Sequence, residues 1–237
     1  VHAYNGLGTV YRITQRFPEA EINFKKAIQL DSNYITVYNS LGSLYRMTKR
    51  LDEAEKQFNK AIQLDSTFAK AYGNLGNLLS SQGRYPEAEK QFRRAIQLDS
   101  TFPSFQSGLG NVFRATGEYL KAEQQFKKVI QLDSTIANTY NNLGSVYNST
   151  FRYLEAEQAF KKAIQLDSNF VIAYYNLGCT YSLLKQPEQA YNMLEICLLK
   201  GYKDYDGMQK DPELAALRER KEQWNALIKK YFPEKLN

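Results

Sequence analysis

One word recurs along this chain at an unvarying interval, and a fixed period of this length leaves few folds open. Leu7-Gly8 returns as Leu41-Gly42, Leu75-Gly76, Leu109-Gly110, Leu143-Gly144 and Leu177-Gly178. Ala20 returns as Ala54, Ala88, Ala122, Ala156 and Ala190, and Phe24 as Phe58, Phe92, Phe126 and Phe160, with Leu194 in the sixth copy. Gln-Leu-Asp-Ser closes five copies, beginning at Gln29, Gln63, Gln97, Gln131 and Gln165. A unit this short cannot bury an apolar face alone and must stack on its neighbours. An all-α solenoid is therefore expected, with function spread over a long repeated surface rather than held in one pocket.

Each copy reads as two helices joined by a tight turn. Ala3, Leu7, Val10 and Tyr11 fall at helical spacing in the first, and Ala20, Phe24, Ala27 and Ile28 in the second. The small Gly8 and Ala20 columns predict that two helix backbones approach closely there. Pro18 and Pro86 open second helices, Pro103 opens the fourth copy, Pro187 sits at the turn of the sixth, and Pro233 ends the last helix. The predicted copies span 1–34, 35–68, 69–102, 103–136, 137–170 and 171–200.

After Lys200 the word stops. Gly201 to Lys210 reads as turn, and Asp211-Pro212-Glu213 as an N-cap with proline at the first helical position. Leu214, Leu217, Trp224, Leu227, Ile228 and Tyr231 then make an apolar stripe. Residues 201–237 are accordingly predicted to be capping helices over the sixth copy, with Trp224 packed inside them. No matching cap precedes the first copy. The expectation is a piece of a longer protein, or self-association through Val1, Ala3, Leu7 and Val10.

Leu-Gly, an aromatic three residues later, then Ala, an aromatic and Ala again, resemble the signature of the tetratricopeptide repeat (TPR) family. The resemblance covers residues 1–200, and the tail is similar to a segment that closes bacterial TPR arrays. It implies a right-handed superhelical solenoid of antiparallel helix pairs, with the first helices lining a concave groove. Members of the family bind peptides or proteins and do no chemistry themselves. The chain departs from the family at Ser32 and its equivalents, where Pro is usual. It departs again at Gln106 in the Tyr4 column and at Phe151 in the column of Gly83 and Gly117.

Family geometry places the columns of His2, Asn5, Gly6, Thr9, Arg12 and Ile13 on the inner surface. The candidate groove residues are then Arg12, Asn39, Arg46, Lys70, Asn74, Asn77, Asn111, Arg114, Asn141, Asn142, Tyr175 and Asn176. Asparagine amides can donate to and accept from one peptide unit. These columns hold no Asp or Glu. The expected ligand is an extended, neutral-to-acidic peptide. A clamp for C-terminal carboxylates, as some family members have, needs Lys in the Asn5 column and Arg in the Gly6 column. Neither is there.

The net charge of +6, from 31 Lys and Arg against 25 Asp and Glu, raises acidic partners or nucleic acid. Much of it has a simpler reading. Glu21, Glu89, Glu123 and Glu157 stand four residues before Lys25, Arg93, Lys127 and Lys161, as on a solvated helix face. Arg16, Arg50, Arg84 and Arg152 fall at the turns and are read as a solvated edge. His2 is the single histidine, and Cys179 and Cys197 are well separated in the chain with no CxxC. Hydrolase chemistry and zinc are therefore disfavoured, and no catalytic residue, metal or cofactor is expected. Cys197 reads as buried, and Cys179 as facing the groove.

The leading reading is a non-catalytic interaction scaffold. A substrate-recruiting accessory domain of a larger transferase or kinase is the alternative, and an RNA-binding array ranks behind both. No run approaches the roughly 18 apolar residues of a membrane span. Two scattered thiols favour a reducing cytosol and leave the periplasm open.

Overall fold

The computed structural model describes residues 1–235, so Leu236 and Asn237 of the expected cap lie outside the described residues. Every regular element among the described residues is helical. They divide into two units, Val1–Gly117 and Glu118–Asn237, whose boundary lies in the turn inside the fourth expected copy.

In the first unit α1 (His2–Ile13) pairs with α2 (Phe17–Leu30), α3 (Ile35–Met47) with α4 (Leu51–Leu64), and α5 (Ala69–Ser81) with α6 (Tyr85–Leu98); α7 (Pro103–Ala115) completes it. Each second helix also packs on the first helix that follows it. The first helices touch in series, α1 with α3, α3 with α5 and α5 with α7, so within this unit they form one continuous row. In the second unit α8 (Tyr119–Leu132) packs on α9 (Ala137–Ser149). There α9 pairs with α10 (Tyr153–Leu166), and α11 (Val171–Leu183) with α12 (Pro187–Leu199).

Local chemistry explains the ends of these helices. Second helices such as Leu51–Leu64 are rich in Ala, Leu, Glu, Gln and Lys, which lose little freedom in a helix. Each stops at an aspartate with extended backbone, whose carboxylate accepts the N–H two residues on. Asp31 takes Asn33 at 2.9 Å and Asp65 takes Thr67 at 2.7 Å. The following serine carbonyl accepts a bond from the Tyr4 column, as Ser32 does from Tyr38 at 2.9 Å. Gln106 reaches the Ser100 carbonyl at the same 2.9 Å, so this departure preserves the bond. The turn inside each pair needs one left-handed residue. Gln15, Lys49, Gly83, Gly117, Phe151 and Lys185 supply it, with φ between 58° and 78°.

The Gly8 column is small for a different reason from the one expected. A Cβ on Gly42 would meet the Phe58 ring at 2.6 Å, and one on Gly144 would meet Phe160 at 2.7 Å. The phenyl ring of the paired helix, rather than its backbone, occupies the space. These phenylalanines are fully buried.

The cap keeps the period after the word has gone. Part of the expected turn is helix: α13 (Tyr205–Lys210) starts one full period after α11, its Asp204 N-cap accepting from Gly207 N at 2.8 Å. Pro212 then breaks the path, because it has no N–H and disfavours helical backbone at Asp211. A 3-10 turn (Pro212–Leu214) and α14 (Ala215–Arg218) follow. The last α-helix, α15 (Lys221–Tyr231), starts one full period after α12. Leu214, Leu217, Trp224, Leu227 and Ile228 are buried there, with Ile228 in the Phe24 column.

Candidate binding face

None of α1, α3, α5 and α7 carries an Asp or Glu. The row they form in the first unit is therefore free of carboxylates along its own helices. Arg46 and Arg114 are exposed in the last turns of α3 and α7; Lys70 and Asn77 are exposed on α5, and Asn111 is half-buried on α7. Lys70 lies 5.8 Å from the centre of the Phe102 ring. Arg12 donates from Nη1 to the Met47 sulfur at 3.5 Å, while its Nε and the Asn5 Oδ1 are buried without a hydrogen-bond partner. Asn39 and Asn74 use part of their capacity on each other, Asn74 donating to Asn39 Oδ1 at 2.8 Å.

The corresponding residues of the second unit are more fully engaged. Asn176 donates to Asn141 Oδ1 at 2.9 Å, and Asn148 donates to Thr180 Oγ1 at 3.0 Å. Asn141 and Asn142 are buried. The cap covers Tyr175: its hydroxyl donates to Asp211 Oδ2 at 2.6 Å, and its ring stacks on Tyr202 at 4.7 Å between centroids. Burial, with Cys179 and Asp211 close by, raises the Tyr175 hydroxyl well above the usual phenol range.

Cys179 does not face an open groove. It is 1% exposed, and its sulfur lies 3.6 Å from Asp211 Oδ2. Burial, with the Asp211 and Glu213 carboxylates nearby, pushes this thiol far up and leaves it protonated. Cys179, Asp211 and Glu213 offer donor atoms within 4.8 Å of one another, a spacing that could hold a metal ion. However, the Tyr175 hydroxyl and the Cys179 thiol both donate to one Asp211 oxygen. Burial raises Glu213 as well. The group is arranged as a hydrogen-bonded anchor between cap and α11. Cys197 is buried as expected, and burial pushes its thiol up to about 12.

The turn arginines are not a solvated edge. Arg50 lies over the Tyr45 ring at 4.0 Å and donates to Glu21 at 2.6 Å as well as to Glu53. Arg84 joins Glu55 and Glu87, each at 2.7 Å. In the second unit Arg152 joins Glu123 and Glu155, also at 2.7 Å, and lies over Tyr147 at 4.3 Å. Each guanidinium ties its own second helix to that of the preceding copy. Burial works against Glu21, yet bonds from Arg50, Lys25 and Tyr45 bring its carboxyl down to about 2. Sequence spacing alone showed only the i,i+4 partner. A second periodic signal was present, because arginine follows glutamate at one constant separation in the pairs Glu21 and Arg50, Glu55 and Arg84, and Glu123 and Arg152.

Family models described as tetratricopeptide repeat match residues 1–67, 135–198 and 69–102, and one described as TPR repeat matches residues 110–149. No curated protein matches the chain. Among solved structures it is similar to YrrB, described as a TPR protein with an unusual peptide-binding site. That match has 25% identity and a TM-score of 0.62, covering 84% of this chain and 97% of that one. It is also similar to PilF of Pseudomonas aeruginosa (19% identity, TM-score 0.76, 94% and 96% covered). PilW, a type IV pilus biogenesis factor, matches at 18% identity and TM-score 0.78, with 92% and 97% covered. The last two likenesses concern the fold. No helix among the described residues is long and apolar enough to cross a membrane.

Proposed function

Because the chain belongs to the tetratricopeptide repeat family, we propose that it is a non-catalytic interaction scaffold. In this reading its first unit holds an extended, neutral-to-acidic peptide against α1, α3, α5 and α7. The observation that carries the reading is the charge of that row: no carboxylate on four helices, with Arg46, Lys70 and Arg114 exposed. Arg12 adds a guanidinium with an unused Nε, and Asn77 and Asn111 supply amides for a peptide backbone. Asn39 and Asn74 shape the wall between them. The peptide-binding site in YrrB's own description, at 25% identity, supports a ligand of this kind. In the second unit Asn141, Asn142, Tyr175 and Asn176 are assigned a smaller share, since their polar groups are largely engaged within the unit.

Many weak contacts would add up here, each backbone hydrogen bond contributing about 0.5–1.5 kcal/mol. The test is anisotropy of a labelled peptide of alternating Asp and Ser, against a Lys–Ser peptide of equal length. Preference for the acidic peptide is expected, weakening with salt. Arg46→Glu combined with Arg114→Glu should reduce its affinity roughly tenfold or more, since each exposed pair is worth up to about 1 kcal/mol and reversal adds repulsion. Equal binding of both peptides, or no effect of the double reversal with helicity intact, would overturn the assignment.

A further inference from the structure

The outer face of α1, opposite its contact with α2, repeats a surface that the chain covers elsewhere with its own helices. Leu7 and Val10 are 46% and 55% exposed, whereas Leu41 and Leu44 at the same positions of α3 are 2% and 1% exposed beneath α2. Three further features of that covered surface recur on α1. In later copies the Tyr11 column receives a carboxylate from the preceding second helix: Tyr45 from Glu21 at 2.9 Å and Tyr181 from Glu157 at 3.1 Å. Tyr11 meets no carboxylate among the described residues. Arg16 lies over the Tyr11 ring at 4.5 Å, as Arg50 lies over Tyr45, yet its carboxylate partner is Glu19 of its own helix. Gly6 forms a notch with nothing within 4 Å of a Cβ, whereas the notch of Gly108 in the same column is filled by Phe92 of the preceding helix, at 2.3 Å.

We infer that this face of α1 docks an amphipathic helix of a partner protein bearing Ala-Glu-x-x-Phe. The glutamate would meet Tyr11 and Arg16, the phenyl ring would enter the Gly6 notch, and apolar residues would cover Leu7 and Val10. The motif is what the chain itself uses on these surfaces: Ala20-Glu21 with Phe24, Ala88-Glu89 with Phe92, and Ala156-Glu157 with Phe160. A second copy docking head to tail fits less well. In α15 the glutamate position holds Asn225 and the phenylalanine position Ile228, with Lys229 and Lys230 beside them. A cationic helix end without a carboxylate is the wrong complement to Arg16. The proposal does not depend on the peptide reading of the first-helix row.

The probe is an acetylated, labelled peptide of the α2 sequence, residues 17–30, titrated by anisotropy against the whole chain. Saturable binding is expected. Replacing its glutamate by Gln (Glu21→Gln) should weaken binding about tenfold, the loss of a charged hydrogen-bonded contact. Replacing its phenyl (Phe24→Ala) should weaken it about 30-fold, as for an anchor residue. Gly6→Leu in the chain, where no atom stands in the way, should abolish binding with unchanged helicity. Arg46→Glu should leave it intact. Absence of binding at millimolar peptide, or binding indifferent to Gly6→Leu, would overturn the site. Dimerisation in sedimentation velocity that Gly6→Leu removes would assign the face to a second copy and overturn the partner. Loss of peptide binding in the natural full-length polypeptide would assign it to the chain's own helix, with the same result.

Discussion

Replacing Phe151 by glycine should stabilise this protein, although it removes a large apolar side chain. Phe151 holds φ at 61°, in the left-handed region that the turn inside each helix pair requires. Its Cβ there costs roughly 1–2 kcal/mol. The ring returns little, being 78% exposed with a single edge contact to Tyr153 at 6.3 Å. Glycine removes the steric cost and loses about 0.5–1 kcal/mol through the greater freedom of the unfolded chain. The balance for Phe151→Gly is a gain of about 0.5–1 kcal/mol, which in a chain of this length is roughly 1–4 °C in Tm. The reverse change, Gly83→Phe, starts from φ of 75° with nothing within 4 Å of a Cβ, so its cost is that of the backbone alone. It should destabilise by roughly 1–2 kcal/mol. Urea midpoints followed by far-UV circular dichroism read both. If Phe151→Gly destabilises, or Gly83→Phe is neutral, contacts of the ring outweigh backbone conformation and the argument is refuted.

The ladder of turn arginines makes stability depend on acid pH. The folded carboxyl of Glu21 titrates near 2, below its ordinary 4.5. Its contribution is therefore complete above about pH 4.5 and fades as pH falls toward 2. About 2 kcal/mol is expected to disappear over that window, and Glu21→Gln should flatten the corresponding part of a stability–pH curve. An unchanged slope would remove Glu21 from the ladder. The thiols give another check: with Cys179 and Cys197 both buried and raised, a thiol reagent should label neither in the folded chain and both in urea. Rapid labelling of one thiol under native conditions would show that the cap does not cover Cys179.

Much of this protein was legible because its information is local and repeated. The apolar spacing, the prolines and the Leu-Asp endings set helix boundaries within a few residues, and registered copies repeated the same evidence. Gln106 illustrates what spacing could not give. It read as a local departure in an aromatic column, and only the reach of its amide to Ser100 showed that the bond is retained. The candidate row was legible in its charge, since the absence of Asp and Glu is a property of the columns. How far each amide is available was not, because the partners of Asn39, Asn141 and Tyr175 lie 35 or 36 residues away.

The sequence by itself determined the helix pairs, their order, the small and aromatic columns and the carboxylate-free row, since each follows from spacing along one helix. Tertiary structure alone decided that Phe58 rather than a backbone fills the space at Gly42. It also decided that Arg50 closes on Glu21, and that Tyr175 and Cys179 lie beneath the cap. These outcomes depend on the offset at which one copy stacks on the next. That offset is fixed by packing of ring against notch and guanidinium against carboxylate, which no single helix contains.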